Sequence, residues 1–193
     1  IRLLVLYPEK YSDNVVCELV HAELNDEPNY EAVSHTWADE TGDAFSSKTI
    51  WRPQKALYVT VNRKAALKRI QQKGLKRTIW IGSVCIYQHN VHERNHKVNQ
   101  VKDTYVKASQ VLIYSDEAAE CSNLLLDTLD GTKLQPNQYT SRRSKPLRQK
   151  YSLAQVVQEF LSRRWFHRIW VLQKAIVARR MVMIAAKTTL AAI

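Results

Sequence analysis

Glycine is scarce in this 193-residue chain, with four residues in all and no two of them close together. A P-loop or a dinucleotide fingerprint needs glycines clustered within a few residues so that backbone can approach a phosphate, and neither is present. Long apolar runs are missing too. None approaches the roughly 20 residues needed to cross a bilayer, no secretory apolar segment is visible, and the run Met181 to Ala186 is only strand-sized. Cysteine is limited to Cys17, Cys85 and Cys121, an odd number with no framework spacing. That excludes a disulfide scaffold and fits a reduced, intracellular setting. The chain opens on Ile1 and closes on Ile193 without a helix cap or polar tail, as expected of a piece of a longer polypeptide, incomplete at its C-terminus.

What is present suits one folded domain over 1–193: 45% hydrophobic and 24% charged residues are enough for a core and too apolar for disorder. The net charge of +11 is uneven, with −7 over residues 1–50 and +18 over 51–193. Such polarity could steer an anionic partner to the second part or draw two parts of one fold together. The segment 131–151 is expected to be a basic loop, densest at Arg142 to Lys150, RRSKPLRQK. A solvated loop is the favoured reading. A nucleic-acid-binding function remains an alternative, not favoured, because the loop lacks interleaved aromatics for stacking.

Strands are expected at Val15–Leu19, Tyr30–Thr36, Ala56–Val61, Thr78–Ile81, Gln110–Tyr114 and Met181–Ala186, with Trp37–Lys48 a surface loop. Asn62 is placed to cap a helix with Ala66, Leu67 and Ile70 on one face and Gly74 to stop it. A second helix from Glu93 carries Val98, Val101, Tyr105 and Ala108 as an amphipathic stripe. A third spans Ala119–Leu129, and Ser152 caps a fourth with Val156, Val157, Phe160 and Leu161. Trp165–Ala178 reads equally as helix or strand. Alternation of strand and helix over 56–114 argues for an α/β fold with a mostly parallel central sheet flanked by helices.

The segment Trp80–Arg94, WIGSVCIYQHNVHER, takes an apolar strand into a polar turn and then a helix, the place where open α/β sheets put ligand crevices. Cys85, His89, His92 and His96 form a C-x3-H-x2-H-x3-H string of zinc-like spacing. Their convergence requires one particular loop, so a solvated turn is preferred and neither metal nor cofactor is expected. Glu93 in a first helical turn is favoured by the macrodipole whatever its function. If the chain is an enzyme, Glu93 is its catalytic candidate, as a carboxylate acting on a ribose. Cys85 has no identifiable His–acid pair and reads as a small buried residue. Trp80, Trp165 and Trp170 read as core.

Three blocks resemble the fungal heterokaryon incompatibility (HET) domain family: YEAVSHTWADE from Tyr30, similar to YxALSYxWGD; WIGSVCIYQHNVHER, similar to WIDAxCINQxDxxER; and RRWFHRIWVLQKAIVARR from Arg163, similar to RxWFxRxWVxQExxLA. The matching positions are Tyr30, Ser34, Trp37, Asp39, Trp80, Cys85, Gln88, Glu93, Arg94, Tyr105, Arg164, Trp165, Arg168, Trp170 and Gln173. The blocks occur in the family's order and span nearly the whole chain.

The resemblance implies a cytoplasmic effector or interaction module acting in heterokaryon incompatibility and programmed cell death, with protein partners or self-association. It also implies a flavodoxin-like layout similar to Toll/interleukin-1 receptor (TIR) domains. Some TIR relatives cleave NAD, which leaves a hydrolase as the alternative reading. The departures fall on polar positions: Ala38 for glycine, Gly82 and Asn90 for acids, Tyr87 for asparagine and Lys174 for glutamate. Acids are lost while aromatics stay, so weakened activity is expected. With Lys174 in place of the acid, Asp39 or Glu93 is expected to pair Arg168.

Overall fold

The computed structural model describes residues 1–8, 14–38, 41–53, 55–115, 152–168, 176–184 and 189–191. Seven strands make one sheet in the order β2-β1-β6-β3-β7-β8-β9: β1 Arg2–Leu6, β2 Cys17–His21, β3 Glu31–His35, β6 Arg77–Ile81, β7 Val111–Tyr114, β8 Met181–Ile184 and β9 Thr189–Ala191. The fold is α/β, but the sheet is mixed rather than mostly parallel. β6, β3, β7 and β8 run parallel, while β1 is antiparallel to both β2 and β6, and β9 to β8. The parallel strands have the composition that burial on both faces demands, with all four residues of β7 and four of the five in β3 buried.

The remaining two strands, β4 Lys48–Arg52 and β5 Lys55–Val59, form a separate antiparallel hairpin. This corrects the strand–helix–strand reading that began at Ala56. β5 pairs with β4 across a short turn, so its helix does not bridge two strands of one sheet. The hairpin is fastened to the main sheet through the Val16–Trp51 bridge, and its inner residues Ile50 and Val59 are fully buried.

Helix α1, Val61–Ile70, is capped by Thr60, whose hydroxyl accepts from the Arg63 amide at 3.2 Å. Asn62, expected as the cap, lies inside the helix with its side-chain amide turned to the end of β3. Gly74 adopts φ 76° in the turn between Gln72 and Leu75, three residues beyond the helix cap at Gln71. After the short α2, Gly82–Cys85, helix α3 runs Val91–Lys107 with Asn90 as its cap. Of its expected stripe, Tyr105 is buried, as is Ala108 just past the last turn, but Val98 is 49% exposed. Ser152 caps α4, Leu153–Leu161, in a reciprocal capping box with Gln155. The chain after α4 continues in turns through His167.

One contiguous core joins β1, β3, β6 and β7 to α1, α3 and Trp165. Arg77 ties three elements together: its guanidinium donates to Glu31 on β3 at 2.7 and 2.6 Å, and to the Ile70 carbonyl ending α1 at 2.9 Å. The expected third helix Ala119–Leu129 and the basic loop 131–151 lie outside the described residues, as do Cys121, Asp39, Trp170, Gln173 and Lys174. No helix among the described residues is long and apolar enough to cross a membrane.

Candidate functional site

β3 is the centre of the parallel part of the sheet, hydrogen-bonded to β6 on one side and β7 on the other. Its carboxyl end is polar and yet buried: Ser34, His35 and Thr36 are exposed by 1%, 5% and 3%. Buried polar groups must be hydrogen-bonded, and here the partners arrive from distant parts of the chain. The Trp165 indole donates to Ser34 Oγ at 3.0 Å. Arg168 donates to the His35 carbonyl at 2.8 Å, and Ser83 Oγ lies 3.4 Å from the His35 ring. The Asn62 amide donates to the Thr36 carbonyl at 3.0 Å and to its hydroxyl at 2.6 Å. One residue back along β3, Tyr105 donates to the Val33 carbonyl at 3.1 Å, and its ring meets Trp80 edge-on at 5.4 Å.

A cleft of about 330 Å³ opens above this strand end. Trp37, Trp80 and Tyr105 supply its aromatic surface, and Gln88, Arg94 and Arg168 its polar one. The Trp37 indole is 43% exposed, and the Arg63 guanidinium sits 5.7 Å from its ring centre. Arg63 is itself 93% buried, its Nε meets no hydrogen-bond partner, and burial lowers its pKa to about 10. At the base, Gly82 leaves little room for a side chain: a Cβ there would stand 3.1 Å from the Trp80 ring, which would have to give by a few tenths of an ångström.

The turn below the cleft is held by its own motif residues. Gln88 donates to the carbonyls of Gly82 and Ile86 at 2.9 and 3.0 Å. Cys85 Sγ accepts from the Ile81 amide at 3.4 Å, and burial pushes the thiol up to about 12. Glu93 does not line the cleft. It borders a neighbouring hollow of about 290 Å³ behind Trp80, where it forms an ion pair with Arg2 and accepts from the Tyr87 amide at 3.0 Å. Arg2 also donates to the Cys85 carbonyl at 2.9 Å. The carboxylate thus pins the start of β1 to the turn, a positioning role. The pairing of Arg168 with Glu93 is therefore corrected: Arg2 holds Glu93, and a backbone carbonyl takes Arg168.

Of the motif positions, Trp37, Trp80, Gln88, Arg94, Tyr105 and Arg168 meet around the cleft, with Ser34 and Trp165 hydrogen-bonded beside it. Tyr30 serves elsewhere, donating to the Thr104 carbonyl at 2.7 Å. Arg164 is exposed and lies against Gly42, whereas Arg163 reaches Ser115 at the end of β7 at 3.1 Å. His35, Asn62 and Arg63 went unnoticed as site residues, although a polar run such as Ser34–Thr36 ending an apolar strand signals buried groups in need of donors. The cysteine–histidine string does not gather: His89 stacks edge-on with Tyr87 and Cys85 is buried in the core, and no group of three metal-ligating residues occurs among the described residues.

A family model described as heterokaryon incompatibility protein (HET) matches residues 30–174. Heterokaryon incompatibility protein 6, OR allele, of Neurospora crassa is 28% identical over 139 residues, covering 67% of this chain and 20% of that protein. The chain therefore spans about a fifth of the length of this curated relative. No solved structure matches it.

Two measurements check this geometry. Trp165→Phe leaves the buried Ser34 hydroxyl without its donor and is expected to cost about 1–3 kcal/mol in urea unfolding. In a double-mutant cycle with Ser34→Ala the two losses should be non-additive by at least about 0.5 kcal/mol; simple additivity would contradict the contact. Burial also raises Cys17 to about 11 and Tyr30 to about 12. The folded state keeps these protons, and that of Cys85, after the unfolded chain begins to release them above about pH 8.5. The stabilisation is complete below that pH and is lost as pH climbs through the folded values. The urea midpoint should fall between pH 8 and pH 10.5.

Proposed function

The chain belongs to the heterokaryon incompatibility family, and from that premise we propose that it is an effector or interaction module of fungal heterokaryon incompatibility, signalling cell death with weakened activity. The observation that carries the reading is the meeting of three separated motif blocks around one strand end and one cleft, at Trp37, Trp80 with Arg94, and Arg168. A layout of the flavodoxin or TIR kind is supported by the parallel strands, whose spatial order β6-β3-β7-β8 is second, first, third, fourth in the chain. Protein partners or a second copy would engage the surface around the strand-to-helix loops, within the cytoplasm.

Weakened activity is supported at the cleft itself. No carboxylate lines it among the described residues, and Gly82 stands where the family places an acid. The Trp80 ring packs against the space an aspartate Cβ would take. A hydrolase reading loses its candidate, because Glu93 is committed to Arg2 and to the Tyr87 amide outside the cleft.

Overexpression in a fungal host tests the proposal. The chain should cause little death, and a Gly82→Asp, Lys174→Glu variant should restore it, with the Trp80 ring yielding a few tenths of an ångström. Full killing by the unaltered chain would end the claim of weakened activity. Failure of the repaired variant to kill, while folded, would count against the effector role.

A further inference from the structure

We infer that the cleft at the carboxyl end of β3 binds a small organic anion with a planar ring, of nucleoside monophosphate size. The inference rests on the cleft alone and stands whether or not the chain signals death.

Charge sets the sign of the ligand. Arg94 and Arg168 line the cleft, and no acid opposes them among the described lining residues. Arg94 is exposed, and the adjacent carboxylate, Glu93, is turned away and paired with Arg2. Arg168 is held in place by its bond to the His35 carbonyl, so its planar fork is oriented before any ligand arrives. Gly82 contributes to the same end. An acid at that position would place a negative charge in the floor of the cleft, and its absence makes the floor acceptable to an anion.

Shape and surface set the rest. A volume of about 330 Å³ lies at the small end of the range for ligand pockets. It admits one ring system with one charged group and is cramped for a dinucleotide. Trp37 offers a partly exposed indole, with the buried Arg63 guanidinium 5.7 Å from its ring centre. Such a surface accepts a stacked ring, since every base has a π-face. The position agrees with the tendency of open α/β sheets to take ligands outside the carboxyl ends of their strands.

The test is titration of the 193-residue chain with AMP, followed by calorimetry and tryptophan fluorescence, beside adenosine, inorganic phosphate and a 5′-phosphorylated single-stranded oligonucleotide. AMP should bind, and adenosine and phosphate should each bind at least about tenfold more weakly, as loss of a charge-assisted contact or of the ring requires. Arg94→Gln should weaken AMP by about tenfold without moving the melting temperature, because its side chain is exposed. Gly82→Asp should weaken AMP too, the opposite of its expected gain in killing, so the two proposals fail separately. No binding at millimolar AMP, unchanged affinity in Arg94→Gln, or a preference for the oligonucleotide that collapses with salt would overturn the inference.

Discussion

The carboxyl end of β3 imposes a demand that the rest of the molecule is arranged to meet. Three consecutive residues there, Ser34, His35 and Thr36, are polar and almost wholly buried. Leaving such a group unpaired costs about 1–3 kcal/mol, a large share of the marginal stability of a domain. Among the described residues, the partners of these groups come from distant parts of the chain. Donors come from α1 through Asn62 and from the segment after α4 through Trp165 and Arg168, and the Ser83 hydroxyl of α2 lies beside the His35 ring. Residues up to 133 positions apart are thereby bound to one strand end, and the cleft is the space left between them.

This arrangement recasts the family motif. Several of its residues that the structure describes hold backbone in place. Tyr30 and Tyr105 donate to main-chain carbonyls, Gln88 closes the turn after β6, and Glu93 fixes β1 to that turn. Such duties are costly to lose where, as at Tyr30 and Tyr105, removal strands a buried carbonyl. Of the charged residues facing the cleft, Arg168 also holds the His35 carbonyl, whereas Arg94 is exposed. At Gly82 the Trp80 ring packs against the space a side chain would take.

The inner strands were legible because burial on both faces forces continuous apolar runs, as in Val111–Tyr114 and in Thr78–Ile81. The Ser152 cap and the helix opening near Glu93 were legible because capping is a local interaction. Other features depend on contacts that no local pattern records. β1 is only five residues long and borders the chain start, and its place between β2 and β6 is a tertiary fact. The pairing of β5 with β4 instead of the main sheet could not be read from its alternation, which is the same in a hairpin and in a sheet. Thr60 and Asn62 are both competent caps; which one serves is decided by the distant Thr36 carbonyl that claims Asn62. Arg163 and Arg164 are adjacent and chemically identical, yet one reaches the end of β7 and the other lies against Gly42.

The most direct test of the central claim is the Trp165 indole proton in an NMR spectrum of the intact chain. If the third block is hydrogen-bonded to the end of β3, that proton will exchange slowly with water and show nuclear Overhauser effects to the Ser34 methylene. Rapid exchange, or an indole whose neighbours lie elsewhere, would contradict the convergence on which the site is built.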